Sequence, residues 1–117
     1  MSEIVLYHNP RCSKSRAALE LLQSRELAVS VVPYLDTPPD AATLRALLAK
    51  LGLEARRLLR TGEEIYRELN LADPTLGEDA LIAAMAAHPK LIERPIAVRG
   101  SRAVVGRPPE RVLEILQ

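Results

Sequence analysis

The constraint that bears hardest on the fold lies in the first 34 residues, where two short apolar strands are joined by a helix. Residues 3–7 (Glu3-Ile4-Val5-Leu6-Tyr7) form an apolar run of strand length. Residues 13–24, with Ala17, Ala18, Leu19, Leu21 and Leu22, carry the spacing and composition of a helix. Residues 28–34 then read as a second strand rich in valine. A strand, a crossover helix and a second strand in so short a stretch favour a parallel pair with the helix on one face. The rest of the chain has to complete that sheet.

Downstream, Asp36-Thr37-Pro38-Pro39 reads as a turn, and Asp40 can cap a helix carrying Leu44, Leu47, Leu48 and Leu51. Gly52 ends that helix. Shorter helices are expected at 54–59 and 62–69. A further one is expected at 77–87, with Leu81, Ile82 and Met85 inward, stopped by Pro89. Ile96-Ala97-Val98-Arg99 reads as a strand, Gly100-Ser101 as a two-residue hairpin loop and Ala103-Val104-Val105 as the return strand. Pro108-Pro109 opens a last helix with Val112, Leu113 and Leu116 as its expected buried stripe. The order is β-α-β, a helical block, then β-β-α. It specifies an α/β fold with one mixed sheet in the thioredoxin-like arrangement, and a central helical insertion at about 40–90 within a single domain, 1–117.

The chain has 117 residues, enough for one ordinary domain. It contains neither Phe nor Trp, so Leu, Ile, Val and Ala have to fill the core. A net charge of +1 and an aromatic fraction of 3% argue against a nucleic-acid or anionic-membrane surface. One cysteine and two histidines exclude an internal disulfide and a multi-thiolate zinc site, and no metal or tightly bound cofactor is expected. The sequence shows no leader pattern and no membrane-length apolar run, which suggests a cytoplasmic protein whose thiol stays reduced.

That cysteine, Cys12, lies in the loop His8-Asn9-Pro10-Arg11-Cys12-Ser13-Lys14-Ser15, at or just before the first helical turn. Free backbone N–H groups and the positive end of the helix dipole favour a thiolate there. Arg11, Lys14 and Arg16 add positive charge, and the hydroxyls of Ser13 and Ser15 can donate to sulfur. A buried structural thiol would have apolar neighbours instead. Cys12-Ser13-Lys14-Ser15 has the spacing of a redox dithiol motif with serine in the second position, so an outside thiol is needed to resolve an adduct. A tyrosine-phosphatase loop requires five residues between cysteine and arginine, and Arg16 comes too early. His8 has two compatible readings, as a neighbour that tunes the thiol and as a polar residue that organises the loop backbone. Arg60, Arg94 and Arg107 stand out by context, either as solvated surface charges or as oxyanion ligands. In a thioredoxin-like order, Arg94-Pro95 falls where a cis-proline faces the active cysteine.

Together these segments resemble the glutaredoxin-dependent arsenate reductase family. The resemblance is carried by residues 7–16, Tyr34-Leu35-Asp36-Thr37-Pro38-Pro39, and Leu58-Leu59-Arg60 with Glu64, Tyr66, Glu68 and Leu69. His88-Pro89, Leu91-Ile92, Arg94-Pro95-Ile96 and Arg107-Pro108 complete it. It implies that Cys12 is the nucleophile, that His8 and Ser15 support its thiolate, that Pro95 is the cis-proline, and that Arg60, Arg94 and Arg107 bind the oxyanion. It further implies arsenate or a similar oxyanion as substrate, glutathione as co-substrate and glutaredoxin as partner. Two other readings are a glutathione-dependent thiol oxidoreductase acting on another substrate and an RNA polymerase-binding regulator. The regulator branch of the family carries a second cysteine where this chain has Ser15.

Overall fold

The computed structural model describes residues 4–116, so Glu3 of the expected first strand lies outside the described residues. Five residues, Ile4–His8, form strand β1, followed by helix α1 (Ser13–Gln23) and strand β2 (Val29–Pro33). Strands β3 (Ile96–Arg99) and β4 (Arg102–Val105) make the hairpin near the end of the chain. The strand order is β2-β1-β3-β4, with β1 parallel to β2 and antiparallel to β3, and β4 antiparallel to β3. This is the mixed sheet of a thioredoxin-like fold. Gly100, at φ +62°, begins the two-residue turn of the hairpin. A positive φ at the first turn position is what a type II′ loop requires, and glycine supplies it without steric cost.

The described residues form two compact units, 4–37 with 94–116, and 38–93. In the first, the sheet is covered by α1 and by a terminal 3₁₀ helix, Pro109–Leu116. Ile4 and Leu6 of β1 share a core with Ala18 and Leu22 of α1, Ala97, Val104, Val112 and Ile115. The alternation along β1 puts Ile4, Leu6 and His8 in one buried row. Ser15, Ala18 and Leu22 form the buried stripe of α1, at i, i+3 and i+7.

The terminal helix differs from expectation. An α-helical repeat would bury Val112, Leu113 and Leu116, whereas Val112 and Ile115 are buried and Leu113 and Leu116 only half-buried. With three residues per turn, positions 112 and 115 fall in line, so the change of helix type changes the buried pair.

The second unit is helical, with α2 (Ala41–Leu51), α3 (Ala55–Leu58), α4 (Glu64–Glu68), α5 (Glu78–Ala87) and a 3₁₀ turn at Pro89–Leu91. Asp40 caps α2, its Oδ1 accepting from the Thr43 N–H at 2.8 Å, and that bond holds its carboxyl below the usual carboxylate range. Gly52, at φ +67°, ends the helix in the left-handed region. Leu44, Leu47 and Leu48 are buried as their spacing implies, while Leu51 is half-buried. Leu81, Ile82 and Met85 face the interior of the unit. No helix among the described residues is long and apolar enough to cross a membrane.

Gly106 provides a direct test of packing in the first unit. A Cβ at this position would lie 2.7 Å from Val112 Cγ1 and 2.9 Å from Pro95 Cγ. Both are buried side chains with little freedom to retreat. Gly106→Ala is expected to destabilise the protein by about 1–3 kcal/mol, the usual cost of overpacking a core. Gly62→Ala, with nothing within 4 Å, serves as the control. Thermal melts of the two variants check this, and equal midpoints would refute it.

Candidate active site

Strand register brings the candidate residues of the first unit to one end of the sheet. His8 at the end of β1 pairs with Pro33 at the end of β2. Tyr7 pairs with Ile96, the first residue of β3, and Ile96 with Val105, the last of β4. The Cys12 loop, the Arg94-Pro95 segment and Gly106-Arg107 therefore all leave the sheet at the same end.

Cys12 is the N-cap residue of α1, with extended backbone (φ −93°, ψ 122°) and a partly exposed side chain. Its carbonyl accepts the first helical bond, from the Arg16 N–H, and its own N–H donates to Asn9 O, both at 3.0 Å. The N–H groups of the first turn have no partner inside the helix, and no acidic residue occupies that turn to compete for them. The positive end of the helix dipole lies at this place. Arg11, Lys14 and Arg16 are exposed around the loop, and Arg16 Nη1 donates to Pro10 O at 2.9 Å.

His8 and Ser15 are buried, and their hydrogen bonds run to each other and to the loop backbone. His8 Nδ1 lies 2.6 Å from Ser15 Oγ, which accepts from the Asn9 N–H at 3.0 Å. Burial, reinforced by the Arg16 charge, lowers the His8 pKa, so the ring is neutral near pH 7. The single hydroxyl proton of Ser15 then goes to Nδ1, and His8 keeps its own proton on Nε2, an assignment that uses each group once. The His8 ring reaches the loop backbone through Ser15, whose hydroxyl also accepts from the Asn9 N–H.

Asn9 is the residue whose part in the site was not legible beforehand. Its N–H reaches Ser15, its side-chain oxygen accepts from the Arg11 N–H at 3.0 Å, and its carbonyl holds Cys12 N–H. The Asn-Pro step marked a turn, but the three partners depend on how the turn closes. A cleft of about 370 Å³ beside the loop is lined by residues that include His8, Asn9, Arg11, Pro33 and Asp36.

Arg94 and Arg107 are brought together. The ladder of the hairpin continues one step, with the Gly106 N–H donating to Pro95 O at 2.8 Å. Arg107 Nη1 donates to Arg94 O at 3.2 Å. The Arg94–Pro95 peptide is cis, and so is Arg107–Pro108. Arg94 Nε is buried without a hydrogen-bond partner. A buried guanidinium N–H in that condition is a donor awaiting an acceptor. Arg60 lies in the second unit, between α3 and α4, where its guanidinium meets Glu63 at 3.2 Å and Glu93 at 3.5 Å. Among the described residues no group of three or more His, Cys, Asp or Glu side chains is arranged to hold a metal ion.

This is the arrangement of a thioredoxin-like protein with a single cysteine at the start of its first helix. The ArsC family model matches residues 7–115, so the chain belongs to the ArsC family. It is 52% identical to the arsenate reductase of Neisseria meningitidis serogroup A over 99% of this chain and 100% of that protein. It is 57% identical to the uncharacterized protein YfgD of Escherichia coli, over 97% of each chain. Among solved structures, an arsenate reductase from Vibrio cholerae superimposes with a TM-score of 0.95 at 55% identity, covering 97% of this chain and 98% of that one.

The state of His8 has a pH consequence. Its pKa is lowered on folding from 6.5, so the unfolded chain takes up the proton first. The associated stability is complete above pH 6.5 and is lost as pH falls towards the folded value. The wild-type melting temperature is expected to decline as pH falls below 6.5. His8→Asn, which can still place a side-chain acceptor near Ser15, is expected to flatten that decline. Asp40 and Asp73, whose pKa values are lowered from 3.8, act only at more acid pH. A slope unchanged by the substitution would overturn the assignment. Ser15→Ala leaves the Asn9 N–H and His8 Nδ1 without their partner, and should lower stability by about 1–3 kcal/mol in the same melts.

Proposed function

We propose that this protein reduces arsenate to arsenite, with Cys12 as nucleophile and glutathione and glutaredoxin as the thiol supply. The observation that carries the reading is Cys12 itself, the only cysteine, partly exposed at the cap of an eleven-residue helix and at the same end of the sheet as Arg94 and Arg107. The names of relatives similar over the whole chain support the choice of substrate.

In this scheme the Cys12 thiolate attacks arsenic and an oxygen leaves as water, forming a sulfur–arsenic bond. Glutathione adds its sulfur to the same arsenic with loss of a second water. The two sulfurs then join as a Cys12–glutathione disulfide, and their electron pair reduces arsenic from the +5 to the +3 state, which leaves as arsenite after hydration. Glutaredoxin attacks the glutathione sulfur and regenerates Cys12. An external thiol is required because Ser15 stands where a dithiol motif has its resolving cysteine.

The chain supplies charge and orientation. The α1 N-terminus stabilises the sulfur anion, and His8, Ser15 and Asn9 hold the loop that carries it. Arg94 and Arg107 neutralise the oxyanion as sulfur approaches, and the family resemblance adds Arg60 as a further oxyanion ligand. The buried and unpartnered Arg94 Nε suits that role.

Arsenite formation is expected to require both glutathione and glutaredoxin, and Cys12→Ser should abolish it. Alanine at Arg94 or Arg107 is expected to weaken oxyanion use by about ten- to a hundredfold, since a charge-assisted bond contributes roughly 1.5–3 kcal/mol. Lysine should restore little of it, lacking the planar fork. Turnover assays with arsenate, beside melts to show that the variants fold, check these expectations. Glutathione-dependent reduction of a mixed disulfide without any arsenite would favour the other thiol-oxidoreductase reading.

A further inference from the structure

The surroundings of Arg60 point to a control on oxyanion affinity that the three arginines alone do not supply. Leu59 and Ile92 form an antiparallel bridge, with the Arg60 N–H donating to Leu91 O at 2.8 Å and the Glu93 N–H donating to Leu58 O at 2.9 Å. Arg60 and Glu93 thus project from one small backbone frame. Glu63, the N-cap residue of α4, adds a second carboxylate three positions after Arg60. Glu63 Oε2 lies 3.2 Å from Nη1 and Glu93 Oε1 3.5 Å from Nε, with all three side chains only about a quarter exposed (24%, 28% and 27%).

We propose that Glu63 and Glu93 form a carboxylate latch on Arg60, competing for its guanidinium at rest and setting how readily Arg60 takes up an oxyanion. The proposal rests on Arg60 being an oxyanion ligand. One guanidinium between two carboxylates leaves a local charge of −1, so an incoming oxyanion meets net repulsion there until a carboxylate is displaced. The two pairs engage different edges of the guanidinium, Nη1 and Nε, which are the edges a bidentate oxyanion would use. Partial burial limits solvent screening of this competition. A carboxylate whose function was only to orient Arg60 would have the opposite effect on affinity, because its removal would loosen the fork.

The test is the equilibrium affinity for arsenate, measured by calorimetry in the absence of thiols. It compares wild type, Glu63→Gln, Glu93→Gln and the double variant, each also in an Arg60→Ala background. Each Gln substitution is expected to tighten arsenate binding by about three- to tenfold, the range of a partly buried ion pair, and to have no effect once Arg60 is Ala. Binding that is unchanged or weakened by Gln would overturn the latch. So would tightening that persists without Arg60, since it would report a general field. Should Arg60→Ala alone bind arsenate like wild type, the oxyanion reading of Arg60 fails, a result distinct from failure of the latch. Thermal melts accompany each variant, and the two single substitutions are independent tests if one fails to fold.

Discussion

The hydrogen bond between His8 and Ser15 joins the two elements on which the cysteine loop depends. His8 ends the buried row that Ile4 and Leu6 begin on β1, and Ser15 begins the buried stripe that Ala18 and Leu22 continue on α1. The apolar interface between strand and helix therefore closes at its top with a polar pair, and the N–H of Asn9 is tied into the same hydroxyl. Inside a protein such a bond is strong, and leaving any of its members without a partner is costly. The geometry of the loop follows from this closure: Asn9 O holds Cys12 N–H, Cys12 O starts the helix, and the sulfur is left at the helix terminus.

The arginines show a second principle, in which guanidinium groups are held by what surrounds them. Arg107 reaches the carbonyl of Arg94 across the continuation of the hairpin ladder, while Arg60 is held by two carboxylates in the helical unit. Five donors on a planar fork allow an arginine to keep one contact while offering others. Cationic residues that resemble one another in sequence thus differ in charge balance, and that difference bears on how each responds to an anion.

Part of this was legible in the chain. The β-α-β opening, the Asp40 cap, the Gly52 stop and the Gly100-Ser101 hairpin all rest on local signals, and each element lies within a residue or two of its expected bounds. Cys12 at a helix start could likewise be read from the strand, the Asn-Pro turn and the helix that follow one another over residues 4–22. The terminal helix could not be read as well. Its apolar residues fit an α-helical stripe, yet packing against α1, β3 and β4 selects a 3₁₀ helix and buries Ile115 in place of Leu113 and Leu116.

The sequence by itself determined the order of elements, the family resemblance and the identity of the sulfur, because periodicity, caps and turn residues act over a few positions. Only the tertiary structure decided which polar groups meet. Ser15 is seven residues from His8, Arg107 is thirteen from Arg94, and Glu93 is thirty-three from Arg60, so no local pattern announces these pairs. Gly106 is the same lesson in packing: nothing beside it in the chain shows that Val112 and Pro95 leave no room for a Cβ. Partners of that kind are selected by strand register and by close packing between elements distant in sequence, and both exist only once the chain has folded.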